Sequence, residues 1–465
     1  MPPSRGHAAT APTRMTPLLA IARNAFVESL RQPIVLVVVL LSGVLQYFNT
    51  AISAYSMGYR SVAGEVTGDN KLLFDVGMST VFLCGILVAA FIATAIVSRE
   101  IENKTVLTIV SKPVGRIMVV VGKYLGVMGA TLIATAIMVV FLMFALRHGV
   151  LMNASDKIHQ PVVFLGVGSV LVCLAFGGFT NYAYGWPFSQ TVLIAMLPLV
   201  VLAYLVTLPF GPTWKIEPIA ANLKPEVIKA CIASIGALIV LTSVATAAST
   251  RLGQVMTITI CLGVFVLGLL SDYFIGRHAF VNQPIGEVET AQPVKPGMES
   301  LNRPGDEYTI TFGTPVDVKV DPGDRFFYAP SPNGLGMVPP GFAPIAPGVD
   351  INRDLFPADV PPALVVLVPG DEQMTVKAIG GGSLGLSRPP ESGDSVFLEP
   401  TTVNWPARVV WTAIPRLHAF WLVDAVTQAS RIPMEHVGLV LVYSVIQAGG
   451  FLGLAILLFQ GRDLG

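Results

Sequence analysis

The sequence predicts an all-α polytopic membrane protein of about eight transmembrane helices, with a β-rich extracytoplasmic domain inserted before the last span. Three observations predict this class. Of the 465 residues, 53% are hydrophobic and only 12% are charged, against about 25% charged in soluble domains. Charge-free apolar runs recur along the chain, each long enough to cross about 30 Å of hydrocarbon as a helix. The stretch 276–413 is instead rich in Pro and Gly and holds five short β-like runs: Tyr308–Phe312, Val316–Val320, Ala363–Val368, Met374–Ile379 and Ser395–Leu398.

The first 33 residues predict a cytoplasmic tail followed by an amphipathic helix. Residues 1–15 are polar, and Thr16–Gln32 places Leu19, Ala22 and Phe26 near one helical face, which is typical of a helix on a membrane surface. The apolar run after Pro33 predicts the first span, Ile34–Ser53. A cleavable signal peptide is the alternative, but the run is long and no convincing A-x-A site closes it.

A polar, basic stretch lies between two charge-free runs in the first third of the chain. Val76–Val97 and Tyr124–Leu146 each predict a span, so residues 98–123 are predicted to form a water-exposed loop. Lys and Arg outnumber Glu in this loop. Short loops with excess basic residues stay on the cytoplasmic side, and we therefore expect the loop inside the cell.

Three motifs in this region carry a family resemblance. They are SREIENKT from Ser98, SKPVGR from Ser111 and GKYLG from Gly122. Together they resemble the cytoplasmic loop of type-2 ATP-binding-cassette (ABC) exporter permeases, which in that family forms a short coupling helix in a cleft of the ATPase subunit. The resemblance implies a set of ATPase-coupling residues: Arg99, Glu100, Glu102, Asn103, Thr105, Lys112, Pro113 and Arg116. The alternative is a loop that only sets topology and has no partner.

The resemblance also implies the partners. These are an ABC-type ATPase subunit and a second permease subunit, in a homodimer or heterodimer within the lipid membrane. No cofactor is expected to bind this chain directly, because ATP and Mg²⁺ would be held by the ATPase. The net charge is zero, which does not suggest a nucleic-acid partner.

The residues themselves predict no catalytic site, so we expect no enzymatic activity. The string nearest to a phosphate-binding loop, Gly115–Tyr124, has apolar residues inside the loop and Tyr where Ser or Thr would bind magnesium. The sequence contains neither HExxH nor GxSxG, and the span centres carry no carboxylate that would mark an ion-coupled carrier. The energy for transport must then come from another subunit.

Five further apolar runs predict the remaining spans. They are Pro161–Thr180, Thr191–Leu208, Val227–Ala248, Gly253–Phe274 and Val437–Phe459, so that residues 34–275 hold spans 1–7. The first two of these runs form either an extra pair of spans, relative to the six-span plan of the family, or a re-entrant hairpin. Pro198 predicts a kink in the second run.

The end of the chain resembles the closing segment of the same family. Residues 414–436 are predicted to form an amphipathic interfacial helix, and residues 437–465 the last span and a cytoplasmic tail. His418, Asp424, Glu435 and His436 are expected to face water rather than to hold a metal ion. The cysteines, four in number, all lie inside apolar runs and predict buried thiols without disulfides.

Eight spans place both termini inside the plasma or inner membrane and residues 276–413 outside. Eleven Lys and Arg lie in the segments predicted inside, against seven in the short loops predicted outside, as the positive-inside rule requires. The function that fits best is a permease subunit of an ABC transporter that exports a substrate. The alternative is a multi-span anchor for a binding or structural domain outside the membrane.

Overall fold

The computed structural model describes residues 15–53, 67–98, 115–151, 158–222, 224–297, 301–334, 336, 350–351, 361–386, 388–427 and 432–460. The chain divides into two compact units. The helical unit comprises Met1–Leu269 and Pro415–Gly465, and the sheet unit comprises Leu270–Ile414.

Ten helices of at least nine residues form in the described part of the chain. They are α1 (Met15–Leu30), α2 (Pro33–Ile52), α3 (Thr67–Ala93), α4 (Arg116–His148), α5 (Gln160–Tyr184), α6 (Phe188–Thr207), α7 (Pro225–Ser249), α8 (Gln254–Ser271), α9 (Trp405–Ala413) and α10 (Met434–Gln460). Eight helical stretches in the described residues are long and apolar enough to cross a membrane, and they contain α2 to α8 and α10. The predicted fold class is confirmed.

The bounds of the helices follow local residue chemistry. Helix α2 begins with Pro33 in its first turn, where the missing N–H of proline costs no hydrogen bond. Helices α4 and α5 end at Gly149 and Gly185, whose φ angles of +78° and +68° are left-handed and suit glycine at a helix end. Arg147 lies in the last turn of α4, where a cation complements the helix dipole.

Helices α3, α4 and α7 form the centre of the helical unit. About 70% of the most apolar window of each is buried, with 72% for α3 and α7 and 67% for α4, whereas only 17% of the window of α8 is buried. Close approach depends on small residues: a methyl group added at Gly85 of α3 would lie 2.8 Å from Leu238 of α7. In a membrane, where lipid is as apolar as the helix surfaces, helices associate by such close packing at small residues.

Polar side chains join α2 to α3 inside the bundle. Gln46 Nε2 donates to the main-chain O of Gly77 at 2.7 Å, and Asn49 Nδ2 donates to the main-chain O of Leu73 at 2.8 Å. Both side chains are buried. Because unpaired amides are costly in hydrocarbon, these two bonds fix the register of α2 against α3.

Helices α5 and α6 are two separate helices of spanning length. They comprise 25 and 20 residues, joined by a turn at Gly185–Pro187, and Pro198 lies inside α6. A side chain on Gly177 of α5 would collide with Val192 of α6, so glycine permits this close packing. The pair of long helices agrees with two spans rather than with a short re-entrant hairpin.

The sheet unit is built from antiparallel strands. They are β1 (Phe280–Val281), β2 (Gly286–Pro293), β3 (Glu307–Phe312), β4 (Phe327–Ala329), β5 (Ala363–Val368), β6 (Gln373–Ile379), β7 (Ser395–Phe397) and β8 (Thr402–Val403). Six of them form one sheet in the order β4-β7-β2-β3-β6-β5, and β1 pairs with β8.

The six-stranded sheet closes on itself. The segment just before β4 pairs with β5, since Phe326 N donates to Leu364 O at 2.9 Å and Gly323 N donates to Val366 O at 2.8 Å. The same stretch of chain then continues as β4 and pairs with β7. Inside the closed sheet lies an apolar core that includes Tyr308, Phe326, Leu364 and Val376.

Three expectations need correction. The loop predicted over 98–123 ends earlier, because α4 already begins at Arg116 and Lys123 is only 6% exposed. The helix predicted over 414–436 is broken into a 3₁₀ turn, Leu417–Phe420, a short helix, Val423–Thr427, and the start of α10. Leu417 and Phe420 are buried against Gly268 and Gly236, so this segment enters the helical unit.

The third correction concerns the sheet unit. The β-like run Val316–Val320 forms no strand, whereas β2 and β4 form without having been predicted. Val316 is buried in the apolar core of the sheet, and its N–H donates to Asp371 O. Its apolar character therefore reflects packing of a loop residue into that core. Most side chains of β2 are exposed and polar, so its sequence lacks the apolar pattern that predicts a strand.

Candidate functional site

The candidate site is the base of the predicted coupling loop, where the chain leaves α3 and enters α4. Seven of the eight predicted coupling residues lie outside the described residues: Arg99, Glu100, Glu102, Asn103, Thr105, Lys112 and Pro113. Arg116 is described and is the first residue of α4, after the extended Gly115. The geometry of the site is therefore given by the two ends of the loop.

The end on the α3 side is a π-helical turn. Residues Thr94–Ser98 continue α3 with this wider turn, a local distortion that is frequent at functional sites. Lys123 Nζ, from the third turn of α4, donates to the main-chain O of Ile96 at 3.1 Å. A buried hydrogen bond thus links the π-turn to α4, the helix that follows the loop.

Two arginines connect this base to the last helix. Arg116 Nη1 donates to the main-chain O of Gln460 at 3.2 Å, and Arg251 Nε donates to the main-chain O of Leu458 at 2.9 Å. Both acceptors lie in the last turn of α10, where carbonyl groups lack partners within the helix. Guanidinium groups at this end also complement the helix dipole.

An apolar cluster lies beside these polar contacts. Val97, at the loop base, and Val120 of α4 pack with Ala247 of α7 and with Ala455 and Phe459 of α10, all of them buried. Four segments of the chain therefore meet at the foot of the loop.

Helix α1 packs along the first turns of α4. A β-carbon built on Gly122 would lie 2.8 Å from Ile21, and one built on Gly126 would lie 2.5 Å from the main-chain O of Ala22. Gly129 continues the same face and meets Phe26. These contacts advance in the same direction along both helices, so α1 lies alongside α4 in a groove that only glycine leaves open.

These contacts connect the base of the loop to α3 through the π-turn, to α10 through Arg116 and to α1 through the glycine groove. Among the described residues, no group of three or more His, Cys, Asp or Glu side chains is placed to hold a metal ion. The four cysteines are buried and unpaired in disulfides, as predicted.

Sequence reasoning missed three parts of this site. The string GKYLG contains the spacing G-x-x-x-G, which signals close helix packing, yet it was interpreted only as part of a family motif. In the sequence Arg251 is only one of the eleven basic residues predicted inside, and Lys123 is the last residue of the predicted water-exposed loop. No sequence signal identifies the carbonyl groups that these cations contact, because their partners are distant in the chain.

Comparison with known proteins supports the family resemblance predicted for this region. Residues 19–180 match the family model described as ABC-2 family transporter protein. No curated protein and no solved structure matches the chain. The matched range includes most of α1, all of α2, α3 and α4, and most of α5. The match therefore extends into α5, although α5 and α6 would be an extra pair of spans relative to the six-span plan of the family. The match confirms the resemblance predicted from residues 98–126: over residues 19–180 the chain is similar to the ABC-2 family of transporter proteins, and this similarity supports a membrane subunit of an ABC transporter.

Proposed function

We propose that this chain is the permease subunit of an ABC exporter, driven by ATP that a separate ATPase subunit hydrolyses. The observation that carries the proposal is that the matched range 19–180 contains the whole predicted coupling loop. ATP and Mg²⁺ would be bound by the ATPase, and this chain would contribute the docking loop and the path through the membrane.

The proposed coupling runs through the base of the loop. When the ATPase subunits close, the loop moves with them, and the two helices that it joins are linked by the bond between Lys123 of α4 and Ile96 of the π-turn. Arg116 is bonded to the end of α10, and α1 lies in the glycine groove of α4. A displacement of the loop would therefore move α1, α4 and α10 as a group.

The proposed assembly contains two permease subunits and two ATPases in the plasma or inner membrane. In this proposal both termini lie inside and residues 276–413 outside, because eight spans with a cytoplasmic loop after the second span require that arrangement. Single cysteines at Ser331 and at Ser111, in a background without the native cysteines, are expected to react with impermeant reagents from opposite sides. Reaction of both from the cytoplasm would contradict the external position of the sheet unit.

The coupling role is tested by replacing the acidic residues of the loop. If Glu100 and Glu102 are half-buried against the ATPase, each charge-assisted hydrogen bond is worth about 1.5 to 3 kcal/mol, and E100A/E102A should weaken docking about tenfold or more. Insertion should persist, because neither residue lies in a predicted span. The measurements are co-purification of the ATPase, membrane abundance and transport.

E289A is the matched control, because Glu289 is an exposed carboxylate of β2 in the sheet unit. It should leave docking unchanged. Normal abundance, normal ATPase recovery and full transport in E100A/E102A would reduce the loop to a topology signal. That outcome would favour the alternative, a multi-span anchor for the sheet unit.

A further inference from the structure

A second polar region lies where α4 and α6 end and α7 begins. Arg147 follows the charge-free run of α4, Thr207 is the last residue of α6, and Lys224 immediately precedes α7. Three candidate spans thus terminate at one level of the helical unit. In a membrane, lipid phosphates lie at the level where spans leave the hydrocarbon.

These helix ends enclose a cavity of about 270 Å³ with two kinds of wall. Its polar wall is formed by Arg147, Asn222 and Lys224, and its apolar wall includes Met143, Leu146 and Val227. A cavity with cations on one side and hydrocarbon on the other fits an amphiphile better than a purely polar or a purely apolar ligand.

Arg147 is held rigidly in this cavity. Its Nη2 donates to the main-chain O of Phe210 at 2.8 Å, its Nη1 donates to Asn222 Oδ1, and Glu217 Oε2 lies 3.6 Å from Nη2. The guanidinium is therefore pre-positioned, and little side-chain entropy remains to be lost on binding. Its Nε is buried and has no acceptor among the described residues.

The charge around the cavity is net positive. Arg147 and Lys224 contribute two positive charges, and Glu217 contributes one negative charge. Glu226, at the start of α7, is already paired with Lys229 and accepts the N–H of Ile432. The ammonium of Lys224 has no acceptor in the described part of the chain, so it is available to a ligand.

His159 lies close by but does not add to this charge. It is 3% exposed, and burial together with the nearby charge of Arg147 lowers its pKa to about 4. Its ring is therefore neutral at physiological pH. His148 belongs to a larger cavity of about 500 Å³ between α2, α4 and α5, whose lining contains neither Lys nor Arg.

We propose that the smaller cavity binds the phosphate group of an anionic amphiphile between Arg147 and Lys224, with the first carbons of its chain against Met143, Leu146 and Val227. This site is independent of ATPase docking. The chemistry could come from a phospholipid or from a free phosphate, and the experiment distinguishes the two sources.

The test measures binding to the purified full-length protein in neutral detergent by native mass spectrometry. The probes are dioctanoyl phosphatidylglycerol, dioctanoylglycerol, which lacks the phosphate, and inorganic phosphate. Phosphatidylglycerol should bind at least about tenfold more tightly than either other probe, and K224Q should weaken it about fivefold, as expected for loss of one charge-assisted contact.

Two variants keep the result interpretable. K215Q removes an exposed lysine of the neighbouring loop that does not line the cavity, and it should leave affinity unchanged. V227F fills the apolar wall without changing charge and should weaken phosphatidylglycerol but not inorganic phosphate. The melting temperature of each ligand-free variant verifies that it is folded.

Three outcomes would overturn the proposal. Equal affinity for phosphatidylglycerol and dioctanoylglycerol would exclude recognition of the phosphate. Equal affinity of K224Q and wild type would exclude this cavity as the location. Lys224-dependent binding of inorganic phosphate as tight as that of phosphatidylglycerol would make the site one for a free anion.

Discussion

Gly126 faces the main-chain oxygen of Ala22 so closely that a β-carbon on Gly126 would lie 2.5 Å from that oxygen. The same β-carbon would lie 2.6 Å from the side chain of Ala25. Both neighbours belong to the rigid body of α1, and neither can rotate away. The position of α1 on α4 therefore depends on the absence of a side chain at Gly126.

The first prediction follows from this contact. G126A should destabilise the helical unit by about 1 to 3 kcal/mol, as overpacking does, because α1 must move away from α4. The measurement is the thermal unfolding of the purified protein in detergent. G263A is the matched control, since a β-carbon on Gly263 of α8 meets nothing within 4 Å. Equal melting temperatures of the two variants would contradict the close packing of α1 on Gly126.

The second prediction concerns the bond between Lys123 of α4 and the π-turn. K123M keeps an apolar stem of similar length but removes the donor to Ile96 O. The π-turn Thr94–Ser98 should open more often, which hydrogen–deuterium exchange of peptides covering residues 90–98 would detect.

The change in K123M should be local, with little shift in global melting. K215M, at an exposed lysine of the loop before α7, should leave exchange of these peptides unchanged. Unaltered exchange in K123M would mean that the π-turn is held by α3 alone.

The third prediction is a pH dependence that depends on His159. Its pKa is lowered from about 6.5 to about 4 in the folded protein, so the unfolded chain binds the proton first as the pH falls. Stability should therefore decrease between pH 6.5 and pH 4, by about 2 kcal/mol from pH 7.5 to pH 5. H159Q should flatten this dependence in thermal melts, whereas H418Q, at an exposed histidine, should retain it.

The fourth prediction concerns the sheet unit. Residues 276–413 expressed alone should melt cooperatively with a β-type circular dichroism spectrum, because the sheet closes within this range. Asp394 is buried and accepts two bonds from Arg388, at 2.6 and 2.7 Å.

D394A should lower stability by about 3 kcal/mol, since it removes the buried carboxylate that pairs with the guanidinium of Arg388, and this corresponds to roughly 10 °C in a domain of this size. E391A is the control, because Glu391 is exposed and lies 3.7 Å from Arg388. It should cost less than about 1 kcal/mol. A non-cooperative melt of the wild-type fragment would show that the sheet needs the rest of the chain.

The spans could be predicted because charge-free runs of spanning length have few other uses. The start of α4 could not, because its first turns contain Arg116 and Lys123, whose partners are the main-chain oxygens of Gln460 and Ile96 in other helices. From sequence alone, a charged residue is predicted to face water unless the segment that covers it is known. The same limit applies to Leu417 and Phe420, whose burial depends on glycines in α7 and α8.

The candidate site was predictable only in part. The motif strings located the loop, and the family match agrees with that location. The contacts that connect the loop to the bundle are to main-chain oxygens, such as that of Gln460, and a main-chain acceptor leaves no mark in the sequence. The roles of the seven coupling residues outside the described range stay predictions.

The position of β7 within the sheet has a consequence for synthesis of the protein. In chain order β7 is the last strand of the six-stranded sheet, and it lies between β4 and β2. The sheet therefore has open edges until Phe397 has left the ribosome. At about 5 to 20 residues per second, the unfinished sheet exists for several seconds, and open edges favour aggregation. A message truncated between β4 and β7 would yield a product prone to aggregation, whereas one truncated after α9 would still encode the complete sheet.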